Sequence, residues 1–265
     1  MKMPISFQFR ARKINSWLQF GLLNLMLLLG PQQPLVAGEA PPEPVEEAEA
    51  FTAAGAIGTL ILPLGAPGRQ TPAIVILQDG EEPDGRASLY MDQLLGAGFA
   101  VLEMTQWPGD SLEAVLAGLA RHPRVAGQRL GLLGFGAGAR LAAAMPEQVA
   151  ARALLYPGCD GIALAAMPAQ PVLLMHGAAD PANPAASCDS LGTALGQAGA
   201  SVRLRVLAGA SYAWDRPAFA GEGHAMLPRP DGTGRVRAEA WPELAALSAA
   251  EVAGFFAASL LGQLP

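Results

Sequence analysis

Residues Arg129 to Met145 constrain this chain more than any other stretch. A short apolar run, Leu130-Gly131-Leu132-Leu133, enters the cluster Gly134-Phe135-Gly136-Ala137-Gly138 and then the alanine-rich segment Ala139-Arg140-Leu141-Ala142-Ala143-Ala144. Glycine takes positive φ without a Cβ clash and lets a strand and a helix approach closely. The stretch therefore predicts a strand, a sharp turn and a helix. A turn of the form Gly-x-Ser-x-Gly in that setting holds a nucleophile up on strained backbone. Here the central residue is Gly136, which has no side chain to offer.

The N-terminus has a basic head (Lys2, Arg10, Arg12, Lys13), an apolar run from about Trp17 to Leu29, and small residues at Val36-Ala37-Gly38. That is the order of a secretory signal, expected over residues 1–40. The run is shorter than the about 20 residues a membrane span needs. An uncleaved anchor is the alternative, and a membrane partner is expected only in that case. The expected location is the periplasm or the outside of the cell. Residues 41–54 are rich in Pro, Glu and Ala, with little to bury, and are expected to form a disordered lead-in. Residues 55–265 are long enough for one α/β domain.

All 23 acids follow Gly38, with 13 of the 17 bases, so the exported part carries a net charge of −10. No basic surface is left for a nucleic-acid backbone. Lys2 and Lys13 are the only lysines, both in the leader. This excludes Schiff-base chemistry, a lysine base and the lysine-dependent phosphate loop from the exported part. Its two cysteines, Cys159 and Cys188, favour a disulfide in an oxidising compartment, with two buried thiols as the alternative.

Along the chain, Ile57–Leu64 reads as an edge strand because of Pro63. Ala73–Leu77, Phe99–Leu102, Leu130–Gly134, Ala153–Tyr156, Pro171–Met175 and Val202–Leu207 read as further strands. The unbroken apolar runs among them suit burial on both faces of a parallel sheet. Helices are expected at about Ser88–Leu95, from Asp110 to about His122, after Gly136, and over Cys188–Gly199. Ser248-Ala249-Ala250-Glu251 has capping-box spacing and predicts a last helix that buries Val252, Phe255, Phe256 and Leu260. Asp215–Leu247 has little periodicity and reads as a long loop of the functional kind. The alternation of strands and helices gives an α/β class with a mostly parallel central sheet and helices on both faces.

With these elements placed, the chain resembles the dienelactone hydrolase family of α/β-hydrolases from about Gly55 to Leu261. Leu133–Gly138 sits where that family has its nucleophile elbow, and Leu155-Tyr156-Pro157-Gly158-Cys159 resembles the end of the next strand in exported relatives. Pro171–Asp180 resembles the strand that delivers the triad carboxylate, at Asp180. Leu207–Asp215 resembles the segment of the triad histidine. The resemblance implies an α/β-hydrolase fold and a carboxylic-ester or lactone hydrolase ancestry. Carried over position by position, the nucleophile falls on Gly136, the acid on Asp180 and the histidine on Tyr212. Tyrosine, with a pKa near 10, serves poorly as a base at neutral pH.

What survives would shape a pocket above Gly136, between Asp79, Asp180, Tyr212 and the long loop. The backbone N–H of Ala137 and one near Asp79-Gly80-Glu81 would form an anion-binding pair, which Asp79 itself opposes. The missing side chain at Gly136 implies spare volume for a ligand group or water. Asp180 reads as a cap on the turn before Pro181, with a relic acid that orients a partner as the alternative, and a Tyr212–Asp180 hydrogen bond would satisfy both groups. Arg140 reads as a surface charge, His176 as a satisfied histidine at a strand end, and His122 as a complement to a helix dipole. No histidine pair has metal-ligand spacing, and neither metal nor cofactor is expected. The leading expectation is a degenerate hydrolase acting as an exported binding or accessory protein for a small ester- or lactone-like molecule. An active hydrolase in which Asp180 or His224 activates water is the alternative. A minor one is a dinucleotide binder, because Gly134-x-Gly136-x-x-Ala139 also fits that fingerprint.

Overall fold

Six of the expected strands become the parallel part of one eight-stranded sheet, in a computed structural model that describes residues 47–63, 68–80, 84–106, 111–145, 149–217 and 223–262. The expected leader, the start of the lead-in, Glu81 and Asp110 lie outside the described residues. Strands β1 (Glu47–Ala53), β2 (Ala56–Leu62), β3 (Thr71–Leu77), β4 (Ala100–Gln106), β5 (Val125–Phe135), β6 (Ala151–Leu155), β7 (Pro171–Gly177) and β8 (Ser201–Leu207) lie in the order β1-β2-β4-β3-β5-β6-β7-β8. From β4 onward in that order every pairing is parallel, whereas β1–β2 and β2–β4 are antiparallel.

Side chains alternate between two cores, as a strand requires. Val75, Leu132, Leu154 and Leu174 face one core, closed by α2 (Leu112–Ala120), α3 (Ala137–Ala144) and α4 (Ala185–Gln197). Ile76, Leu133, Leu155 and Leu173 face the other, closed by α1 (Ala87–Gly96) and α5 (Pro242–Phe256). Helix α3 lies very close to the sheet: a Cβ on Gly138 would fall 2.3 Å from the Leu77 carbonyl oxygen, and one on Gly134 would fall 2.5 Å from Ala139 Cα. Glycine at both positions is what lets the helix begin directly over the strand ends.

Four expectations need correction. The lead-in is ordered from Glu47 onward. Ala54 and Gly55 both take positive φ, as a tight hairpin turn demands, and Phe51 packs under α2. The Arg124–Glu47 ion pair (2.8 Å) and a His122–Glu49 contact (3.3 Å) add to it, giving His122 a partner beyond any helix dipole. Strand β2 is consequently internal, with Pro63 just past its end. The stretch 215–247 is not a featureless loop, since β9 (His224–Pro228) and β10 (Arg235–Glu239) form an antiparallel hairpin within it. Finally, Ser248 caps nothing: α5 starts six residues earlier, with a proline in its first turn. Ser248 Oγ instead accepts the Trp214 indole N–H at 2.9 Å and donates to the Leu244 carbonyl. The helix buries Val252, Phe255, Phe256 and Leu260 as expected.

Candidate functional site

At the carboxyl ends of the parallel strands, where open α/β sheets build their sites, the chain brings Asp79, Gly136, Tyr212 and Asp180 to neighbouring positions. Asp79 follows β3, Gly136 is the turn between β5 and α3, Asp180 follows β7, and Tyr212 follows β8. Tyr212 is fixed by a parallel bridge of its backbone to Ala238 of β10 and by edge-on packing against Tyr156, 5.1 Å between ring centres.

The turn has the strained geometry its sequence predicts, with Gly136 at φ 48° and ψ −113°. The space above it is not spare. A Cβ on Gly136 would lie 1.8 Å from Asp79 Oδ1 and 2.3 Å from the Tyr212 hydroxyl. The Asp79 carboxylate therefore occupies the place that a nucleophilic side chain would take. It also takes the expected oxyanion donor, since the Ala137 N–H donates to Asp79 Oδ1 at 2.8 Å. The Tyr212 hydroxyl donates to Asp79 Oδ2 at 2.5 Å, not to Asp180, and Arg86 Nη1 approaches the same oxygen at 3.3 Å. Gly80 stands exposed beside this cluster.

A buried polar network continues below Asp79. Arg86, at the start of α1, is 2% exposed. Its Nε donates to both oxygens of Asp84 at 2.9 Å, Nη2 pairs with Asp84, and Nη1 donates to the Tyr156 hydroxyl at 2.9 Å. Tyr156 then donates to Asp215 Oδ1 at 2.7 Å, and Tyr90 donates to Asp215 Oδ2 at 2.6 Å. Arg216 closes the circuit on Asp84 at 3.2 Å.

These contacts set the protonation tendencies. Burial pushes the Asp79 carboxyl up, against the opposing pull of Arg86, Tyr212 and the Ala137 N–H. Burial likewise raises Asp215, opposed by Arg86 and its two tyrosine donors. Asp84 is also penalised by burial, but its bonds to Arg86 hold it below the usual carboxylate range. Tyr212 is pushed far up by burial and then by the Asp79 carboxylate, so it is a neutral donor and no base. Asp180 is pushed up to about 6 by burial. Both its oxygens are engaged, Oδ1 by the Ala182 N–H at 2.8 Å and Oδ2 by the Asn183 amide at 2.7 Å, the turn-capping geometry.

The other candidate residues have structural settings. Arg140 is no surface charge, because its guanidinium reaches the carbonyl oxygens of Pro157, Gly158, Asp160 and Gly161 and gathers the loop after β6. Cys159 and Cys188 form a disulfide that ties this loop to α4, and Asn183 Oδ1 accepts the Gly158 N–H at 2.8 Å. His176 is fully buried; Nδ1 contacts the Gly177 carbonyl, while Nε2 has no hydrogen-bond partner among the described residues, so it is only partly satisfied there. His224 opens β9 opposite Glu239. The dinucleotide reading draws no support from this geometry. The α3 N-terminus, where a pyrophosphate would sit, already holds a carboxylate.

Sequence reasoning missed Arg86, Tyr90, Asp84 and the role of Tyr156. Their one signal is location: Tyr156 closes a predicted strand, Asp84 and Arg86 lie between a predicted strand and its helix, and Tyr90 falls inside that predicted helix.

This strand order, with its elbow between β5 and α3, is that of an α/β-hydrolase fold. Solved structures agree at the level of fold. The dienelactone hydrolase-like promiscuous phosphotriesterase P91, from metagenomic libraries, superposes with a TM-score of 0.61 at 18% identity, covering 81% of this chain and 98% of its own. Esterase 2 of Thermogutta terrifontis gives 0.59 at 16% identity, over 85% and 98%. MGS-M1, an α/β-hydrolase enzyme from a Medee basin deep-sea metagenome library, gives 0.53 at 15%, over 64% and 84%. Within that class the chain is dienelactone hydrolase-like: the dienelactone hydrolase family model matches residues 103–225, from β4 into β9. No curated protein matches the sequence.

Proposed function

We propose that this protein is a pseudo-hydrolase, a dienelactone hydrolase-like scaffold exported to the periplasm or beyond, that binds a small molecule instead of turning one over. The observation that carries the reading is the filled elbow. Acyl transfer needs a nucleophile beside a base, and an N–H pair free to receive the oxyanion. In this chain the nucleophile position is Gly136, the histidine position is a neutral tyrosine, and the Ala137 N–H is engaged by Asp79. A triad-less hydrolase keeps roughly 10³–10⁴-fold catalysis over water when its oxyanion hole is open. Here the Ala137 donor of that hole is already engaged as well.

Export is supported by the order of the leader residues and by the Cys159–Cys188 bridge. The excess of acids in the exported part argues for a small-molecule ligand over nucleic acid. The second reading, an ester or lactone hydrolase of altered mechanism, draws on one observation, the Asp180 carboxyl pushed up to about 6 and so able to exchange protons near neutrality. Its engaged oxygens count against it.

Steady-state hydrolysis of p-nitrophenyl acetate, p-nitrophenyl butyrate and an unsubstituted lactone decides between them. The pseudo-hydrolase reading expects rates indistinguishable from buffer. Turnover that disappears in Asp180→Ala would establish the second reading in its place.

A further inference from the structure

The three groups around Asp79 are held in place by contacts that do not involve Asp79. Arg86 is clamped through Nε by Asp84 and through Nη1 by Tyr156. Tyr212 is set by its backbone bridge to Ala238 and by the Tyr156 ring. The Ala137 N–H is fixed by the first turn of α3, anchored by hydrogen bonds from Ala139 and Arg140 to the Gly136 carbonyl. A guanidinium, a phenol and a backbone N–H thus converge on one point, with donors for both oxygens of a carboxylate, and a carboxylate is what sits there. The point is reachable, since Ala137 is exposed and the Asp79 side chain keeps 8% of its surface. The absent Cβ of Gly136 leaves the approach to it unobstructed by the turn itself.

We propose that the Ala137 N–H, the Tyr212 hydroxyl and the Arg86 guanidinium form a receptor for one carboxylate group of a small molecule, with Asp79 as its internal ligand. The inference rests on the pseudo-hydrolase reading, because it treats the elbow as a place of binding and not of reaction. Asp79 is tethered next to its donors and competes at high effective concentration. A free carboxylate therefore binds the native protein only to the extent that Asp79 has swung out, which lowers its apparent affinity by that fraction. Two carboxylates do not fit the same three donors, so entry and displacement are one event. The internal carboxylate acts as a latch on the receptor.

Removing the latch exposes the receptor. In Asp79→Ala, sodium formate and sodium acetate are expected to raise resistance to urea, while sodium chloride at equal ionic strength is not. At about ten times its Kd, a one-site ligand lowers the unfolding equilibrium constant about 11-fold. The native protein is expected to show no such response at neutral pH, and Tyr212→Phe in the Asp79→Ala background is expected to weaken formate binding about tenfold. If Asp79→Ala does not fold in chloride, recovery of folding by formate supports the receptor, and Asp79→Ser provides a second background for the same titration. A folded Asp79→Ala or Asp79→Ser protein that responds equally to formate and chloride overturns the proposal, as does an equal formate response in the native protein. Ester turnover by the native protein would overturn the pseudo-hydrolase reading; a missing formate response would remove this inference and leave that reading standing.

Discussion

Restoring a serine at the elbow is the obvious way to ask whether this scaffold still remembers hydrolysis, and the structure says that Gly136→Ser will do harm. The new Cβ would lie 1.8 Å from Asp79 Oδ1, 2.3 Å from Asp79 Cγ and 2.3 Å from the Tyr212 hydroxyl. Something must move, and Asp79 is the group able to. A non-glycine residue at φ 48° adds about 1–3 kcal/mol of backbone strain. Pushing Asp79 away strips an acceptor from the Ala137 N–H, Tyr212 and Arg86, each loss costing about 1–3 kcal/mol where water cannot replace it. Because Ala137 is exposed and can be rehydrated, the strain and two losses remain, and the expected total is about 3–9 kcal/mol. Urea unfolding followed by the fluorescence of buried Trp214 measures it. The same substitution in an Asp79→Ala background should cost only the strain and the remaining contact with the Tyr212 hydroxyl, a coupling of about 2–6 kcal/mol between the two positions. Equal costs in the two backgrounds, within about 0.5 kcal/mol, would refute the claim that Asp79 fills the nucleophile's place.

Among the described residues, Arg86→Met removes the only cation bonded to Asp79 and leaves Asp84 paired with Arg216 alone; a loss of about 3–5 kcal/mol is expected in the same urea assay. Reducing Cys159–Cys188, which are 29 residues apart, should cost about 3–4 kcal/mol by loop entropy, read as the difference in urea midpoint with and without reductant. For Asp180 the folded pKa lies above the unfolded one. Its stabilising contribution is therefore complete below the unfolded pKa near 3.9 and is lost as pH rises through about 6. Asp180→Asn should flatten the fall in stability between those values by about 2–3 kcal/mol at most, measured as ΔG against pH.

The centre of the sheet was legible because its strands contain unbroken apolar runs. Ala73–Leu77 or Leu130–Gly134 has nowhere to go but the middle of a sheet. Strand β1 was not, because it carries three residues of acid or small polar character around a single large apolar side chain, Phe51. Its order comes from contacts with α2 and with Arg124 and His122, distant in sequence. Ser248 misled for a related reason: capping-box spacing is local, whereas the start of α5 at Pro242 and the bond from Trp214 to Ser248 depend on tertiary packing. At the site, motif order led to Gly136, Asp180 and Tyr212, yet the partner of Tyr212 proved to be Asp79, 133 residues away. No pattern in sequence distinguishes a tyrosine that bonds Asp180 from one that bonds Asp79. The difference lies in which strand end the side chain reaches across, and it turns an expected void into a filled position.

The central claim is that no group among the described residues stands ready to bond to an electrophile above the elbow. Incubating the native protein with a fluorophosphonate probe, then recording its intact mass, tests this directly. The account predicts an unmodified mass after prolonged exposure to excess probe. A single stoichiometric adduct, mapped to a residue at the carboxyl ends of β3, β5, β7 or β8, would contradict it.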